Sequence, residues 1–571
     1  MSLIRFILVV TVLLALYVAV LAMLSIPYAW VAALALVLMA LCKRGYRYTA
    51  YGTARWADVS DVPHLLDGNG LIIGHMTGKP TRMEGLRALF NSRLSARVAC
   101  ERFLQSCNKK QPENLVRLTQ AVHTAVFAPT GVGKGVSCVI PFLLTCPDSC
   151  IVVDFKGENF RLTAQARRKM GHRVVVLDPF KIATSSPDTF NPLEFIDRDS
   201  PTAIDDCRDL AEALVVRTGQ EKDPHWNDAA EVWIAAMTAA VVAFAEGEDK
   251  SLQSVRALLT NPEKMQAAIQ LMCESDLWQG MLSRLGHQLT QFKDKELSST
   301  LTTTNRFLRF LDTIAVSDST KLSSFNPADL LKGKCTIYLI LPPEHMRAQS
   351  PLLRLWIGSM LRAVVKGGLQ EKTRVHYILD EAASLSHMEA LDDAVDKFRG
   401  YGVRLQLYYQ SLGQLKKCWP EGQDQTLLSN VTQVFFGVND QQTAEYVSNR
   451  LGEGTIIISS GGTSSGTSQQ TSQKGEGSYS YSSNTSENWQ QHGRKLLKPE
   501  EVASLDPRVA ITFTPGVPPI WTWLVRYYEK GFMMPRRMGL VRASIDTICL
   551  FLTVVLLAVL FTATISPQTF R

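Results

Sequence analysis

The sequence predicts an α/β fold with a parallel sheet that helices cover on both faces. Near-continuous apolar runs, typical of strands buried on both faces, alternate along the chain with stretches of helical composition. Three of these runs end in a polar residue, namely Asp154, Asp178 or Gln410, and two further runs cover residues 335–342 and 431–438. Ligands of open parallel sheets bind at the carboxyl ends of the strands. We therefore expect a binding site where these polar residues meet.

One strand-like run leads into a glycine-rich turn that has the outline of a phosphate-binding loop. Residues 125–135 read AVFAPTGVGKG. Gly131 and Gly133 can adopt positive φ angles, which aim successive backbone N–H groups at an anion. Lys134 can then reach the β- and γ-phosphates of a nucleotide. The predicted nucleotide-binding residues are Thr130, Gly131, Val132, Gly133, Lys134, Gly135 and Val136.

This loop departs from the usual pattern G-x-x-x-x-G-K-[ST] at two positions. Ala128 occupies the first glycine position, and Gly135 stands where a serine or threonine would hold magnesium. Ser137 lies two positions later, on another side of the helix, so we do not assign it as a ligand. Because Gly-Lys turns also arise by chance, this segment alone leaves both a nucleotide loop and an ordinary turn open.

A second apolar run, at residues 375–381, ends in adjacent carboxylates and reads VHYILDE. In P-loop ATPases an Asp at such a strand end holds magnesium, directly or through water, and we assign this role to Asp380. Glu381 would polarise the attacking water. A core strand followed by two acidic loop residues is the alternative interpretation. Together, the glycine-rich turn and this run predict binding of ATP and Mg²⁺, with Lys134 and the two carboxylates at the centre.

Nine short motifs follow one another in order along the chain. They read YGTARWADVSDV, APTGVGKGVSCVIPFLL, DFKGENF, DPF, FNPLEFI, DPHWNDAAEVWI, LDEAASL, YYQSLGQL and RKLLKPEEVASL. In these motifs the chain resembles the type IV secretion coupling proteins, the TraG-like membrane ATPases of conjugation systems. The resemblance covers roughly residues 45–530 and implies a RecA-like P-loop ATPase domain.

The resemblance also implies roles for individual residues. Members of this type often carry Gly at the position of Gly135, so magnesium would rest on Asp380, phosphates and water. Gln410 belongs to the later glutamine motif. The active unit would be a homo-oligomeric ring, expected to be a hexamer, in which an arginine reaches the neighbouring subunit's γ-phosphate. Arg399 is the first candidate for that arginine and Arg404 the second; an ordinary surface ion pair is the alternative for Arg399.

Apolar segments at both ends of the chain predict attachment to a membrane. Residues 7–26 are 20 residues without a charge, enough to cross a bilayer core of about 30 Å, and residues 28–42 form a second apolar run. The following Lys43 and Arg44 would stay in the cytoplasm by the positive-inside rule. Residues 545–565 predict a third span, for which a buried C-terminal helix is the alternative. We therefore expect a multi-pass protein of the bacterial inner membrane with a cytoplasmic ATPase domain.

Composition sets weaker limits on function. The chain of 571 residues exceeds one ordinary domain, and its net charge of +7 does not by itself identify a nucleic-acid partner. Its 11 cysteines form no Cys-x-x-Cys pair and show no Cys/His spacing typical of a metal site. We interpret Cys146 and Cys150, which lie close to the glycine-rich turn, as reduced thiols of a cytoplasmic protein.

The predicted domain boundaries combine these signals. An all-α insertion with helix-forming composition interrupts the ATPase domain, and in it Pro262 fits the first turn of a helix capped by Asn261. A Ser-, Thr-, Gly- and Gln-rich stretch is predicted to be a disordered loop, because it has too few apolar residues to offset the entropy of ordering. In chain order the boundaries are 1–42 for a transmembrane hairpin, 43–120 for a cytoplasmic segment, 121–196 and 318–455 for the ATPase domain, 197–317 for the insertion, 456–493 for the disordered loop, 494–530 for the closing segment of the ATPase domain, and 545–565 for the C-terminal span.

Three functions fit the sequence. The first is a ring ATPase that delivers relaxase-bound single-stranded DNA, protein effectors or both to a type IV secretion channel. The second is a chromosome-pumping translocase of the septal type, a class that has a longer N-terminal membrane region and a C-terminal winged-helix DNA reader. The third is a non-hydrolysing membrane receptor, motivated by Ala128 and Gly135. The two N-terminal spans and the apolar C-terminal segment favour the first over the second.

Overall fold

The fold is known from a computed structural model that describes residues 50–58, 61–66, 68–76, 103, 115–217, 223–419, 422–471 and 477–529. The predicted transmembrane hairpin at 1–42 and the predicted span at 545–565 lie outside these residues. Within them the strands are β1 (Leu71–Met76), β2 (Leu115–Leu118), β3 (Thr124–Phe127), β4 (Ser149–Asp154), β5 (Arg173–Leu177), β6 (Cys335–Ile340), β7 (Val375–Leu379), β8 (Val403–Tyr409), β9 (Thr432–Phe436), β10 (Glu453–Thr471), β11 (Gly477–Lys495), β12 (Val509–Phe513) and β13 (Ile520–Trp523). Eleven of these thirteen strands form one sheet in the order β2-β1-β13-β12-β9-β3-β8-β7-β4-β6-β5, and β10 and β11 pair with each other in a second sheet.

Helices lie between most of the parallel strands, as an alternating strand–helix pattern requires. In the described ranges they are α1 (Ile140–Thr145), α2 (Glu158–Lys169), α3 (Ala203–Leu214), α4 (His225–Phe244), α5 (Leu252–Thr260), α6 (Pro262–Cys273), α7 (Met281–Thr290), α8 (Asp294–Leu308), α9 (Ile314–Thr320), α10 (Pro343–Lys366), α11 (Glu389–Asp396), α12 (Leu412–Cys418), α13 (Gln423–Asn430), α14 (Gln441–Leu451) and α15 (Pro499–Ala503).

The sheet is parallel from β9 to β5, which confirms the predicted parallel sheet for this part of the fold. Every residue of β3, β4, β6, β7 and β9 is buried, as expected for strands covered on both faces. Each fully buried Val, Leu, Ile or Phe side chain in such a layer contributes about 1.5–3 kcal/mol of transfer free energy. The continuous apolar runs therefore supply much of the driving force that forms this half of the sheet.

The sheet also has an antiparallel half that the sequence did not indicate. Strands β1 and β2 come from the segment before the phosphate-binding loop, and β12 and β13 come from the closing segment. The two segments pair directly through β1 and β13, and the rings of Trp56 and Trp521 meet edge to face with centroids 5.0 Å apart. The hydroxyl of Thr522 donates to the carbonyl oxygen of Ile73 at 2.5 Å. The segment predicted as a separate cytoplasmic unit and the closing segment of the ATPase domain thus extend the same sheet.

Helices α3 to α9 form an all-helical region between β5 and β6. The helix α4 passes through its centre, and it alone among the described helices is long and apolar enough to cross a membrane. The most apolar 18-residue stretch of α4 is 78% buried inside the protein, as in the core helix of a globular region. As predicted, Pro262 begins α6, and the side chain of Asn261 accepts hydrogen bonds from the N–H groups of Glu263 and Lys264.

A long hairpin replaces the disordered loop predicted at 456–493, so that prediction is wrong for the described residues. The strands β10 and β11 pair antiparallel from Glu453 opposite Lys495 to Thr471 opposite Gly477. The prediction considered only the burial of apolar side chains. Cross-strand pairing satisfies backbone N–H and C=O groups without a core, and the Thr and Tyr residues of this segment favour extended backbone.

Candidate nucleotide-binding site

Three adjacent parallel strands bring the main predicted site residues to one edge of the sheet. β3 leads into the loop that carries Lys134, β8 ends before Gln410, and β7 ends before Asp380. β8 lies between the other two strands and pairs with both, in the order β3-β8-β7. The N–H of Ala128 donates to the carbonyl of Tyr409 at 3.0 Å, which extends the β3–β8 pairing up to the start of the loop. Residues distant in sequence therefore face one another across the carboxyl ends of these strands.

The phosphate-binding loop has the backbone that its glycines predict. Gly131 and Gly133 have φ angles of 87° and 104°, a region that residues with a side chain rarely adopt. A Cβ at Gly131 would meet no atom within 4 Å, so the backbone conformation rather than crowding requires glycine there. A Cβ at Gly135 would likewise meet no atom within 4 Å. The missing magnesium-binding hydroxyl at this position is therefore not imposed by lack of space.

The charged side chains of Lys134 and Asp380 interact electrostatically at the centre of the site. The Lys134 ammonium donates to the carbonyl oxygen of Ala128 at 2.9 Å, so its side chain folds back over the loop. Desolvation raises the pKa of Asp380 to about 6; the positive charge of Lys134 opposes this rise and Glu381 adds to it. At neutral pH Asp380 is ionised, and an ionised oxygen ligand is what Mg²⁺ prefers.

Glu381 is held in a strained backbone conformation by its neighbours. It has φ 68° and ψ 54°, the left-handed region, which costs a residue with a side chain about 1–3 kcal/mol. Ser384 stabilises this turn, because its N–H and its hydroxyl donate to the Glu381 carbonyl at 3.0 and 2.9 Å. The carboxylate Oε1 accepts hydrogen bonds from Gln410 Nε2 at 2.7 Å and from Gln414 Nε2 at 2.9 Å. The side-chain amides of Gln410 and Gln414 thus hold the Glu381 carboxylate in place. This is the carboxylate that the sequence predicts to polarise the attacking water.

Gln414 is the residue of this site that the sequence reasoning missed. Besides its bond to Glu381, its Oε1 accepts the backbone N–H of Gln410 at 2.7 Å. Ser411 caps α12, and its side chain accepts the N–H of Gln414, so Gln414 projects from the first turn of that helix. The detectable signal was the spacing of four residues between the two glutamines in YYQSLGQL, which a helix start can bring together.

Replacing Gln414 by Ala is expected to lower kcat for nucleotide hydrolysis by about 10–100-fold with little change in KM. The reason is the loss of one hydrogen bond to a charged group, worth about 1.5–3 kcal/mol, at the carboxylate to which the sequence assigns a role in the chemical step. Steady-state hydrolysis by purified protein measures the effect. Gln441→Ala, which removes an exposed glutamine from the first turn of α14, is the control. Equal kcat values for the two variants would contradict this role.

Two acidic strand ends that the sequence placed at the site serve the local backbone instead. The carboxylate of Asp154 accepts the N–H groups of Glu158 and Phe160 at 3.1 and 2.9 Å, which starts α2. The carboxylate of Asp178 accepts N–H groups of the turn after β5, and Ala183 is the closest at 2.7 Å. Both residues lie at the predicted edge of the sheet, but their oxygens are already engaged.

Arg399 lies at the opposite edge of the sheet from the loop of its own chain. It precedes β8, whereas Gln410 follows β8, so the length of the strand, about 20 Å, separates their backbones. The Arg399 side chain is exposed, and in the described part of the chain its guanidinium has no hydrogen-bond or ion-pair partner. Burial and the charges of Arg404 and Arg399 lower the pKa of nearby His123 to about 3, so the edge is locally positive.

A buried arginine links this site to the all-helical region. Arg354, on α10, has 1% of its surface exposed. Its Nε donates to the carbonyl of Ala213 at the end of α3, at 2.9 Å. Its Nη1 donates to the carbonyls of Leu385 and His387, at 2.9 and 2.5 Å, in the turn that follows Glu381. One side chain therefore contacts both the helical region and the turn next to the predicted catalytic carboxylate.

A glycine-rich loop after one strand, an acidic pair after a second and a glutamine after the strand between them define a P-loop nucleotide-binding domain. The chain belongs to the family described as "Type IV secretory system Conjugative DNA transfer", whose sequence profile matches residues 55–546. Among curated relatives, it is 29% identical over 418 residues to Conjugal transfer protein TraG of Rhizobium radiobacter. It is also 29% identical over 503 residues to Protein VirD4 of Rhizobium radiobacter. These alignments cover 70% and 86% of the chain, which spans only 61% of TraG and 66% of VirD4.

Solved structures show the same fold. The conjugative coupling protein TrwBdeltaN70 in its trigonal form with sulphate has a TM-score of 0.56 and 16% identity, over 84% of this chain and 96% of that one. The plasmid coupling protein TrwB in complex with ADP and Mg²⁺ has a TM-score of 0.55 and 14% identity, with the same coverage. At this identity the likeness supports the fold.

Proposed function

We propose that this protein is an inner-membrane ring ATPase that recruits relaxase-bound single-stranded DNA, protein effectors or both and delivers them to a type IV secretion channel. The observation that carries the proposal is the arrangement of Lys134, Asp380 and Glu381 at one sheet edge, with two glutamines on the Glu381 carboxylate. Membership of the conjugative DNA transfer family supports the type of cargo and the channel. Relatives named as conjugal transfer and coupling proteins support the same role.

The site residues would divide the chemistry of ATP hydrolysis between them. Lys134 would leave the Ala128 carbonyl and neutralise charge on the β- and γ-phosphates. Asp380, the ionised carboxylate beside Lys134, would hold Mg²⁺, which would neutralise the charge that develops on the phosphates. Glu381 would orient the attacking water, and its two amide donors would keep the carboxylate aimed at it. Thr130 to Val136 would place backbone N–H groups around the phosphates.

Glu381→Gln tests this function, because it keeps the shape of the side chain and removes its charge. We expect the variant to bind ATP, to lose hydrolysis, and to stop transfer of a mobilisable plasmid between cells. Binding, hydrolysis and transfer are measured on the same variant, with Glu371→Gln, at an exposed position, as the control. Transfer that continues without hydrolysis would favour the non-hydrolysing receptor, the second candidate, which Gly135 and Ala128 motivate. Normal transfer when the gene itself is deleted would exclude both roles in conjugation.

We also propose a membrane topology with spans at 7–26, 28–42 and 545–565, so that the ATPase domain stays in the cytoplasm. The basis is the length of the apolar runs and the basic residues that flank them. A reporter fused after Arg571 is expected to be active outside the inner membrane, and one inserted near Gly45 inside. A cytoplasmic signal from the reporter at Arg571 would leave a two-span anchor.

A further inference from the structure

A second cluster of chemically active side chains lies at the other end of the sheet from the nucleotide site. The helix α1, which follows the phosphate-binding loop, ends at Thr145, and β4 begins at Ser149. The short connection between them carries Cys146 and Asp148. The neighbouring strand β7 begins at this same edge and brings His376 beside the connection.

The three side chains converge closely. One potential ligand atom from each of Cys146, Asp148 and His376 lies within 4.8 Å of the other two. His376 Nε2 and Asp148 Oδ2 are 3.2 Å apart. Cys146 is 1% exposed, whereas 28% of the Asp148 side chain and 10% of the His376 side chain are exposed. The cluster is therefore protein-lined on the thiol side and open to water on the carboxylate side.

Neighbouring groups hold the cluster in place. The ring of His376 packs edge to face on Phe142 of α1, with centroids 4.9 Å apart. The buried Arg167 donates to the carbonyl of Cys146, and also to the carbonyl of Asp148 at 2.6 Å, which fixes the connection between α1 and β4. Partners of this kind orient the residues that bind a metal and raise its affinity.

We propose that Cys146, Asp148 and His376 bind one Zn²⁺ ion. A thiolate, a carboxylate and an imidazole are all zinc ligands, and three protein ligands leave one tetrahedral position for water. With zinc–ligand bonds of about 2.0–2.3 Å, the ligand atoms of a tetrahedral site are about 3.3–3.8 Å apart, so small side-chain movements suffice. Binding would release the thiol proton of Cys146 to solvent.

The local charges fit this ligand set. The Cys146 thiolate and the Asp148 carboxylate would offset the two charges of the ion. The positive charge of Arg167 disfavours a cation close to it. Because Arg167 Nη2 contacts the Cys150 sulfur at 3.4 Å, we leave Cys150 out of the ligand set. The sequence could not show this site because His376 lies 230 residues beyond Cys146 and comes next to it only through the pairing of β4 with β7.

The ion would fasten the far end of the helix that starts at the phosphate-binding loop. The N–H of Cys146 donates to the carbonyl of Phe142 at 2.8 Å, so the proposed ligand is the last hydrogen-bonded residue of that helix. His376 lies at the start of the strand that ends before Asp380. The zinc would thus connect the two elements that carry the nucleotide site, at the end remote from the nucleotide.

Metal binding by the full-length protein, purified in detergent, tests the proposal. We expect one zinc per chain by elemental analysis, and thiolate-to-cobalt charge-transfer absorption when Co²⁺ replaces zinc. Cys146→Ser and Asp148→Asn should each weaken Co²⁺ binding by at least the roughly 10–100-fold typical of altering a residue that supports a metal ligand. Cys146→Ser should also remove the charge-transfer band. Cys207→Ser, at another buried thiol, should bind as the unaltered protein does.

Asp148→Asn keeps the test informative if the cysteine variant does not fold, because Asp148 is partly exposed and asparagine has the same shape. Folding of each variant is followed by thermal unfolding with and without Zn²⁺, which should raise the Tm of the unaltered protein and of Cys207→Ser only. Absence of the charge-transfer band in the unaltered protein, or equal Co²⁺ affinity in Asp148→Asn, would overturn the proposal. None of these measurements depends on ATP hydrolysis.

Discussion

Lys134→Ala is expected to reduce ATP hydrolysis at least about 10²–10³-fold, the usual cost of removing a charge-stabilising donor from an active site. Among the loop residues assigned to the nucleotide, Lys134 alone carries a positive charge. Desolvation raises the pKa of Asp380, and the charge of Lys134 is close enough to that carboxyl to oppose the rise. Backbone N–H groups would still bind phosphates weakly, so the variant should retain some affinity for nucleotide. Hydrolysis by purified protein and plasmid transfer between cells are both measured.

The matched control is Lys169→Ala, which removes an exposed lysine from the last turn of α2. It should hydrolyse ATP and support transfer at the level of the unaltered protein. Crosslinking in cells that carry Lys134→Ala should recover cargo stalled on the protein, and sequencing the DNA or identifying the protein would show what the cargo is. Near-normal hydrolysis by Lys134→Ala would remove the basis for the assigned nucleotide site.

Arg399→Ala is expected to lower hydrolysis by roughly 10³–10⁵, the range for an arginine that stabilises the transition state from a neighbouring subunit. Arg399 is exposed and about a strand length from the loop of its own chain, so it cannot act on its own nucleotide. Its proposed partner is the γ-phosphate at the next subunit of a ring. Burial lowers the pKa of His123, and the positive charges of Arg404 and Arg399 lower it further, so this edge is locally positive and suits a position beside phosphate.

Mixing two inactive variants separates this role from a structural one. Arg399→Ala subunits have an intact loop, and Lys134→Ala subunits have an intact arginine, so some mixed interfaces would contain both. Hydrolysis should partly return in the mixture and not in either variant alone. Lys397→Ala, which removes an exposed lysine from the same turn, is the control and should stay active. Full turnover by Arg399→Ala alone would mean that the arginine is elsewhere or absent.

The parts of the site that could be predicted are those that local backbone geometry encodes. The loop around Lys134 and the acidic pair after β7 each depend on a strand followed by a few residues, so the motif contains most of the structure. Asp154 and Asp178 also lie at the ends of strands, but their carboxylates accept hydrogen bonds from the turns that follow them. A polar residue at a strand end can serve the ligand or its own backbone, and the sequence alone does not distinguish these outcomes.

The parts that could not be predicted depend on contacts between distant segments. The antiparallel half of the sheet joins β1 and β2 to β12 and β13, which lie some 400 residues further along the chain. No periodicity in either segment indicates its partner. The hairpin of β10 and β11 was missed for a different reason, because backbone pairing rather than side-chain burial holds its strands together. Gln414 was missed because its role depends on where α12 starts.

The hydrogen bonds of Arg354 have a mechanical consequence. A buried guanidinium whose bonds are broken without replacement costs about 1.5–3 kcal/mol for each bond to the charged group. The end of α3 and the turn after Glu381 therefore resist moving apart, and force applied to one is transmitted to the other. By thermodynamic reciprocity, if cargo that pulls on the helical region changes the affinity for nucleotide, nucleotide must change the affinity for that cargo by the same factor. The hydrogen bonds of this one side chain would then set the strength of the coupling between cargo binding and nucleotide binding.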